Sequence, residues 1–175
     1  MNAPCAVHLR PARAADATAL ARLSRDLIEA GLPWRYTPRR IGALLADADH
    51  LSVVAADPQR RADAGAVQGF ALMQFGDADA HLVLLCVQPA QRRNGVGRCL
   101  LQWQLASARV AGMAAVRLEV RADNADAQAF YRACGFAPTL LLPDYYAGGI
   151  AAQRMQLALR AAASNHGPTD PHERG

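Results

Sequence analysis

An arginine- and glycine-rich segment, Arg92–Arg98, joins an apolar run to an amphipathic segment. Gly95 and Gly97 would let the backbone of this segment approach a ligand closely. Directly afterwards, apolar residues recur at helical spacing, at Val96, Leu100, Trp103 and Val110. The helix that they predict presents its first unpaired N–H groups to the loop, and such a helix start binds anions. The segment therefore predicts a site for a phosphate-bearing cofactor.

Three phosphate-binding patterns compete for these glycines. A P-loop needs Gly-Lys-Ser/Thr, and the chain contains no lysine. A dinucleotide fingerprint needs a third glycine where Leu100 stands, and it needs a tight turn where seven residues, Gln88 to Asn94, separate the strand from Gly95. The pattern Arg/Gln-x-x-Gly-x-Gly/Ala fits Arg92 to Gly97 at every fixed position. The third pattern is therefore favoured.

The same pattern is followed by two further segments, Val116–Asn124 and Ala129–Phe136, in a fixed order. The first reads as a strand that ends in an asparagine, and the second carries Phe-Tyr-x-x-x-Gly-Phe. With these features the sequence resembles the GNAT superfamily of N-acetyltransferases from about Leu82 to Tyr146. Its second half is most similar to the ribosomal-protein alanine N-acetyltransferases, the RimI type.

The resemblance implies that the cofactor is acetyl-CoA, used as co-substrate, and that no metal takes part. The pyrophosphate would be wrapped by the loop residues Arg92, Arg93, Asn94, Gly95, Val96, Gly97 and Arg98. The preceding strand would leave backbone groups free for the pantetheine arm at Leu85, Cys86 and Val87, unless it pairs normally throughout. Asn124 would contact the cofactor arm, and it would also serve as a helix N-cap.

Two residues have catalytic roles by resemblance. Glu119 shares one face of its strand with Arg117 and Arg121, so it is either the general base or the partner of those arginines. Tyr131 follows Phe130 on a predicted helix, and an aromatic pair there usually joins the core. By resemblance, Tyr131 donates a proton to the departing thiolate, while Phe130 packs inside.

The acceptor is expected to be a primary amine. By resemblance, aromatic residues of two loops would hold it, namely Trp34, Tyr36, Tyr145 and Tyr146. A protein or peptide N-terminal α-amine is favoured over a small-molecule amine, because its deprotonation asks less of a single glutamate. A different class of function also stays open, namely a non-catalytic acetyl-CoA-binding sensor domain.

The surrounding pattern predicts an α/β protein with the GNAT fold. Its centre would be a mixed, mostly antiparallel twisted sheet of about six to seven strands, flanked by about four helices. Residues 1–160 are expected to form one acetyltransferase domain, and residues 161–175, rich in Ala, Ser, Pro and Gly, to be disordered. Asp16 is expected to cap the first helix, and Tyr145 and Tyr146 to lie in a loop between the last strands.

The composition of the chain limits the kinds of partner that it is expected to bind. A chain of 175 residues, 52% of them hydrophobic, can bury a full core, and no stretch has the apolar length of a membrane span. The net charge of +4 comes with interspersed acidic residues, so no nucleic-acid-binding stripe is visible. The four scattered cysteines are expected to be reduced, which favours a cytoplasmic location. A homodimer is left open.

Overall fold

A seven-stranded mixed sheet organises residues 7–57 and 67–159, the part of the chain that the computed structural model describes. The strands are β1 (Leu9–Pro11), β2 (His50–Ala56), β3 (Val67–Phe75), β4 (Asp79–Val87), β5 (Ala115–Arg121), β6 (Ala137–Tyr146) and β7 (Ile150–Ala158). The helices are α1 (Ala17–Leu27), α2 (Pro38–Ala46), α3 (Val96–Val110) and α4 (Ala125–Ala133). The expected disordered tail lies outside the described residues.

The strands lie in the order β1-β2-β3-β4-β5-β7-β6. β4 and β5 run parallel, because α3 carries the chain back between them, and every other neighbouring pair is antiparallel. The predicted fold class, a mostly antiparallel mixed sheet with four helices, is confirmed within the described residues.

The contact between the two parallel strands is short. β4 and β5 pair at only three positions, and the last of these joins His81 to Arg117. Beyond that point β4 stays with β3 as far as Val87, while β5 continues beside β7 to Arg121. The two central strands therefore separate toward their C-terminal ends and leave a gap in the middle of the sheet.

A β-bulge in β4 lies next to this gap. Met73 of β3 stands opposite Leu82, and Leu72 stands opposite Leu84, so that Val83 is an extra residue in β4. A bulge bends its strand and shifts the alternation of side chains by one residue. Accordingly, Leu82 packs toward α3 before the bulge, and Leu84 packs toward α1 and α2 after it.

Two apolar clusters cover the two faces of the sheet. The cluster on the α3 and α4 side is centred on side chains such as Leu100, Leu118 and Met155, and each of these is at most 1% exposed. The cluster on the α1 and α2 side includes Leu20 and Ile41, both fully buried. These two helices therefore close one face of the sheet only over β2 to β4, and β5 to β7 stay open on that face.

Some local expectations need correction. Asp16 occupies the N-cap position of α1, but its side chain makes no capping hydrogen bond to that helix. Its carboxylate instead accepts two hydrogen bonds from the Arg10 guanidinium, at 2.7 and 2.8 Å, and one from the Arg13 N–H. Tyr145 and Tyr146 lie in the irregular end of β6 rather than in a loop, because Tyr146 still pairs with Ile150.

The cysteines also differ from expectation. Cys86 and Cys134 are free thiols, as predicted, but Cys99 is disulfide-bonded. Cys5 lies outside the described residues. Nowhere in residues 7–57 and 67–159 is there a helix with the length and hydropathy needed to span a membrane.

Gly69 lets β3 approach β4 closely, which suggests a test of how tightly the edge of the gap is packed. A Cβ at this position would lie 2.6 Å from the Cys86 carbonyl oxygen, so the backbone would have to move. We expect Gly69→Ala to lower the free energy of unfolding by about 1–3 kcal/mol, measured by urea denaturation.

Gly42 supplies the matched control, since a Cβ there would meet only the Ala17 side chain at 3.9 Å. Gly42→Ala in α2 should leave stability unchanged or raise it by up to about 1 kcal/mol. If the two variants were equally stable, β3 and β4 would not be tightly packed at Gly69.

Candidate active site

The start of α3 has the geometry of an anion site. Gly95 is its N-cap residue with φ +79°, a left-handed conformation that favours glycine, and the helix has no side-chain cap. The Cys99 N–H closes the first turn on the Gly95 carbonyl at 3.0 Å. The N–H groups of Val96, Gly97 and Arg98 precede that first bond and remain available to a ligand. Their combined dipoles favour a negative charge at this position.

Gly97 differs from Gly95 in its surroundings. A Cβ there would lie 3.5 Å from both Phe130 and Val87, which is ordinary van der Waals contact. Within the protein, a left-handed backbone therefore favours glycine at Gly95, and the close approach to a ligand at Gly97 stays a prediction. Arg93 also adopts positive φ, +68°, so the loop turns sharply just before the helix.

Leu85, Cys86 and Val87 form the β4 side of the gap. Pairing between β4 and β5 has already ended at His81, so the gap predicted beside these three residues is present. The Arg92 Nε–H lies 3.4 Å from the Val87 carbonyl oxygen and ties the loop back to the strand. Burial raises the pKa of the Cys86 thiol to about 12, so this thiol is neutral at physiological pH.

Asn124 follows β5 and begins α4. Its side-chain oxygen accepts a hydrogen bond from the Ala127 N–H at 3.0 Å, so the N-cap interpretation is correct. The Asn124 side chain is exposed beside Arg121 and Asp123, whose own side chains pair at 2.8 Å.

Tyr131 lies in the core, and Phe130 is only partly buried, the reverse of the expected arrangement. The Tyr131 ring makes edge contacts with Phe130 and Phe136, with ring centres 5.2 and 5.7 Å apart. Burial, and then the proximity of Cys134, Tyr146 and Cys86, raise the pKa of the Tyr131 phenol well above its usual value. Tyr131 belongs to the cluster on the α3 and α4 side, whereas Cys86 belongs to the cluster on the opposite face of the sheet.

Glu119 holds a buried ionic cluster on the open face of the sheet. Its carboxylate accepts a hydrogen bond from His81 Nε2 at 2.7 Å and another from Arg154 Nε at 2.7 Å. The hydrogen bond from His81, and then that from Arg154, lower the pKa of Glu119 to about 2 against the opposing effect of burial. The carboxylate is therefore ionised throughout the physiological range.

The alternative interpretation of Glu119, pairing with its neighbours along β5, is wrong in its partners. Arg117 instead lies 3.7 Å from Asp79, and Arg121 pairs with Asp123. Glu119 finds its partners across the sheet, on β4 and β7. This arrangement leaves one face of the cluster toward a cleft of about 380 Å³.

One aromatic side chain, Tyr145, lines this cleft, and it makes an edge contact with Tyr146, with ring centres 4.9 Å apart. Burial, and then the charges of Tyr145, Glu119 and Tyr36, raise the pKa of Tyr146 to about 12. Trp34 lies differently: its indole N–H donates to the Tyr36 carbonyl, and Arg25 stacks on its ring.

Glu29 positions the segment that carries Tyr36, and it is a residue that sequence reasoning missed. This carboxylate is only 5% exposed. It accepts hydrogen bonds from the N–H groups of Arg35 at 2.6 Å and Tyr36 at 3.2 Å, and from the Ser24 hydroxyl at 3.1 Å. A glutamate just after an amphipathic helix was the available signal, because a buried carboxylate must be paired.

His81 and Arg154 are the other two residues that sequence reasoning missed. Each is a polar residue next to a buried apolar residue of its strand, Leu82 for His81 and Met155 for Arg154, which was the available signal. Their common partner Glu119 is 38 and 35 residues away, so no local pattern relates them. In the described part of the chain, no cluster of three or more His, Cys, Asp or Glu side chains is arranged to hold a metal ion.

Three features together indicate the class to which the protein belongs. They are the central gap in the sheet, the uncapped helix start beside the gap, and the carboxylate near it. The fold is similar to the structure of the ribosomal-protein-S18-alanine N-acetyltransferase from Escherichia coli, with a TM-score of 0.74 and 25% identity over 90% of this chain and 97% of that one. It is also similar to Ard1 from Thermoplasma volcanium, with a TM-score of 0.73 and 29% identity over 89% and 99% of the two chains.

The chain belongs to the acetyltransferase (GNAT) family, whose sequence profile matches residues 20–136. One curated relative is the [ribosomal protein bS18]-alanine N-acetyltransferase of Escherichia coli strain K12. It is 37% identical over 82 residues, which is 47% of this chain and 55% of the relative. The chain therefore spans about half the length of the curated relatives that it matches.

The lowered pKa of Glu119 predicts a pH-dependent contribution to stability. An unfolded glutamate titrates near its ordinary value of 4.5 and the folded one at about 2, so the contribution is fully present above pH 4.5 and is lost as the pH falls toward 2. We expect Glu119→Gln to be less stable than the native protein at pH 7, with a difference that shrinks below pH 4.5. Urea denaturation at a series of pH values measures this.

Asp26→Asn is the control, because the Arg25–Asp26 pair is exposed and contributes little. A stability difference for Glu119→Gln that stayed constant from pH 7 to pH 3 would contradict the ionic account of the cluster.

Proposed function

We propose that this protein transfers the acetyl group of acetyl-CoA to a primary amine, by direct attack of the amine on the thioester in one ternary complex. The observation that supports this best is the gap between β4 and β5. It joins an anion-binding helix start on one side of the sheet to a cleft with an ionised carboxylate on the other. A thioester cofactor lying in this gap would meet an acceptor entering from the cleft.

The residues of the loop and of β4 fit a coenzyme A. The diphosphate would receive the free N–H groups of Val96, Gly97 and Arg98, with positive charge from the loop arginines Arg92 and Arg93. The pantetheine arm, which carries amide groups, would pair with the backbone of Leu85 to Val87 where β5 no longer does. Asn94 would complete the loop, and Asn124 would approach the arm from the start of α4.

Two side chains would handle the protons. Glu119 is the anion toward which the proton of the amine moves, either directly or through an intervening group. Tyr131, whose pKa is raised, keeps its proton at neutral pH and can donate it to the departing thiolate. A covalent acetyl-enzyme is disfavoured, since burial raises the pKa of Cys86 and of Cys134 and keeps both thiols neutral.

We infer that the acceptor is a protein or peptide N-terminal α-amine. At pH 7, deprotonating such an amine costs about 1 kcal/mol, against about 4.6 kcal/mol for a lysine side chain. Tyr36, Tyr145 and Tyr146 offer an aromatic wall with polar edges, which suits an extended backbone. The relatives named as alanine N-acetyltransferases agree with this choice. The single domain of residues 1–160, a cytoplasmic location and a homodimer stay predictions.

The test is thiol release from acetyl-CoA in the presence of three groups of acceptors. These are peptides with a free α-amine, the same peptides blocked at the α-amine but containing lysine, and small-molecule amines such as polyamines. We expect release with the free peptides and little with the blocked ones. Turnover confined to small amines would assign the small-molecule activity, and firm acetyl-CoA binding without any turnover would assign a sensor.

Tyr131→Phe tests the proton donor, because it removes only the hydroxyl group from a packed ring. We expect kcat to fall about a hundredfold or more, while the affinity for acetyl-CoA, measured by calorimetry, stays nearly unchanged. Tyr36→Phe is the comparison, since Tyr36 is proposed to contact the acceptor, and it should act mainly on the acceptor KM. Parallel losses of kcat and acetyl-CoA affinity in Tyr131→Phe would sink the assignment.

A further inference from the structure

We propose that His81 is the residue that takes the proton from the amine, and that Glu119 is a positioning residue that orients its imidazole. This inference rests on the proposed acetyl transfer and assigns the intervening group of that reaction.

The position of His81 in the sheet is the first step of the argument. It forms the last β4–β5 pair, with Arg117, so it stands where the gap begins to open. Glu119 lies two residues further along β5 on the same face, and such diagonal neighbours are within reach of long side chains. The imidazole therefore bridges the narrow end of the gap, between the place proposed for the thioester and the acceptor cleft.

The hydrogen bond fixes the chemistry of the ring. The Glu119 carboxylate is ionised and can only accept, so Nε2 of His81 must carry the hydrogen of the 2.7 Å bond. In the neutral ring Nδ1 then has a free lone pair. No side chain of the described residues is bonded to Nδ1, and Nδ1 is not among the buried atoms that lack a partner. The ring thus offers a proton-accepting nitrogen to the cleft.

Accessibility separates the two candidates for the base. The Glu119 side chain is 8% exposed, and each of its oxygens already receives a hydrogen bond at 2.7 Å. The His81 side chain is 37% exposed and lines the cleft. An amine in the cleft therefore reaches the imidazole before the carboxylate. The role left to Glu119 is to hold the ring and to stabilise the positive charge that it gains.

The charged and titratable groups around His81 come from four strands. Asp79 lies on its own strand, Glu119 and Arg117 on β5, Arg154 on β7 and Tyr145 on β6. Arg154 is taken up by Glu119, and Arg117 lies beside Asp79, so each cation has an anionic neighbour. A second proton on the imidazole would therefore lie in direct contact with the Glu119 carboxylate. Both nearby arginines would already be paired with carboxylates.

The proposed acetyl transfer forms one C–N bond and breaks one C–S bond. The amine nitrogen uses its lone pair to form a bond to the thioester carbonyl carbon, the C–S bond breaks, and its electron pair leaves on sulfur. The nitrogen gives one proton to Nδ1 of His81, directly or through one water, and the thiolate receives one from the Tyr131 phenol. The products are the amide and free coenzyme A, and the two side chains exchange their protons with solvent.

His81→Gln is the principal variant, with His8→Gln as its matched control, since His8 is exposed and not among the residues that line the cleft. We expect H81Q to lower kcat/KM for a free-amine peptide by about a hundredfold or more, with acetyl-CoA affinity and unfolding temperature close to those of the native protein. The loss should be much smaller with a peptide hydrazide, whose nucleophilic nitrogen is already neutral. H8Q should match the native protein.

Two further readouts exclude a merely structural role. Added imidazole should restore part of the activity of His81→Ala with the free-amine peptide. The kcat of the native enzyme should fall toward acidic pH in the same way for two peptides whose α-amines differ in pKa, and H81Q should lack this fall. Glu119→Gln should lose less activity than H81Q, and the double variant should lose no more than H81Q alone.

The outcomes separate the two proposals. A native protein that acetylates no acceptor would end the proposed function. A native protein that acetylates peptides, with H81Q close to native activity and Glu119→Gln inactive, would overturn only the role of His81 and make Glu119 the direct base. If H81Q does not fold, the native pH profile decides: a kcat that does not fall toward acidic pH would overturn the proposal.

Discussion

Beyond His81, strand β4 has a partner on one side only, and the site depends on this constraint. A parallel pair that continued to Val87 would close the sheet, and no ligand backbone could enter it. The extra residue Val83 bends β4 at this point, so β5 can follow β7 while β4 follows β3. Gly69 completes the arrangement, because β3 must approach the bent strand more closely than a side chain permits.

The gap between β4 and β5 also separates a positively charged region of the molecule from a negatively charged one. On one side, the loop arginines and the first N–H groups of α3 offer positive charge and donors to an anion. On the other, Glu119 is an anion that two cations from distant strands keep ionised. Because the sheet separates them, each set would act on a different part of the proposed reaction. Tyr131 is the residue that connects the two sides, since it packs with α3 and α4 yet lies near Cys86 and Tyr146.

What the sequence predicted well is local in the chain. The start of α3 and the cap at Asn124 each follow from neighbouring residues, and the structure has both. The prediction that Asp16 caps α1 was wrong. Arg10, six residues away, is a stronger partner for this carboxylate than the helix N–H groups.

Contacts between residues far apart in the sequence were not predicted, because they depend on how distant strands pair. Glu119 was placed on the correct face of β5, but its partners lie on β4 and β7, and register between strands cannot be derived from alternation alone. The Val83 bulge was hidden in a continuous apolar run, where a shift of one residue changes no hydrophobic pattern. Tyr131 is more deeply buried than Phe130, because neighbouring residues of an α-helix point about 100° apart and the pair alone does not show which of the two directions faces the core.

The anchor at Glu29 has a consequence for how this enzyme class can diversify. Of the segment between α1 and α2, the carboxylate contacts only main-chain N–H groups, at Arg35 and Tyr36. Side chains on that segment can be exchanged without loosening the anchor, since every residue except proline supplies the same N–H. If this segment contacts the acceptor as proposed, recognition of a new acceptor could change through substitutions on it alone while the anchor at Glu29 stays in place.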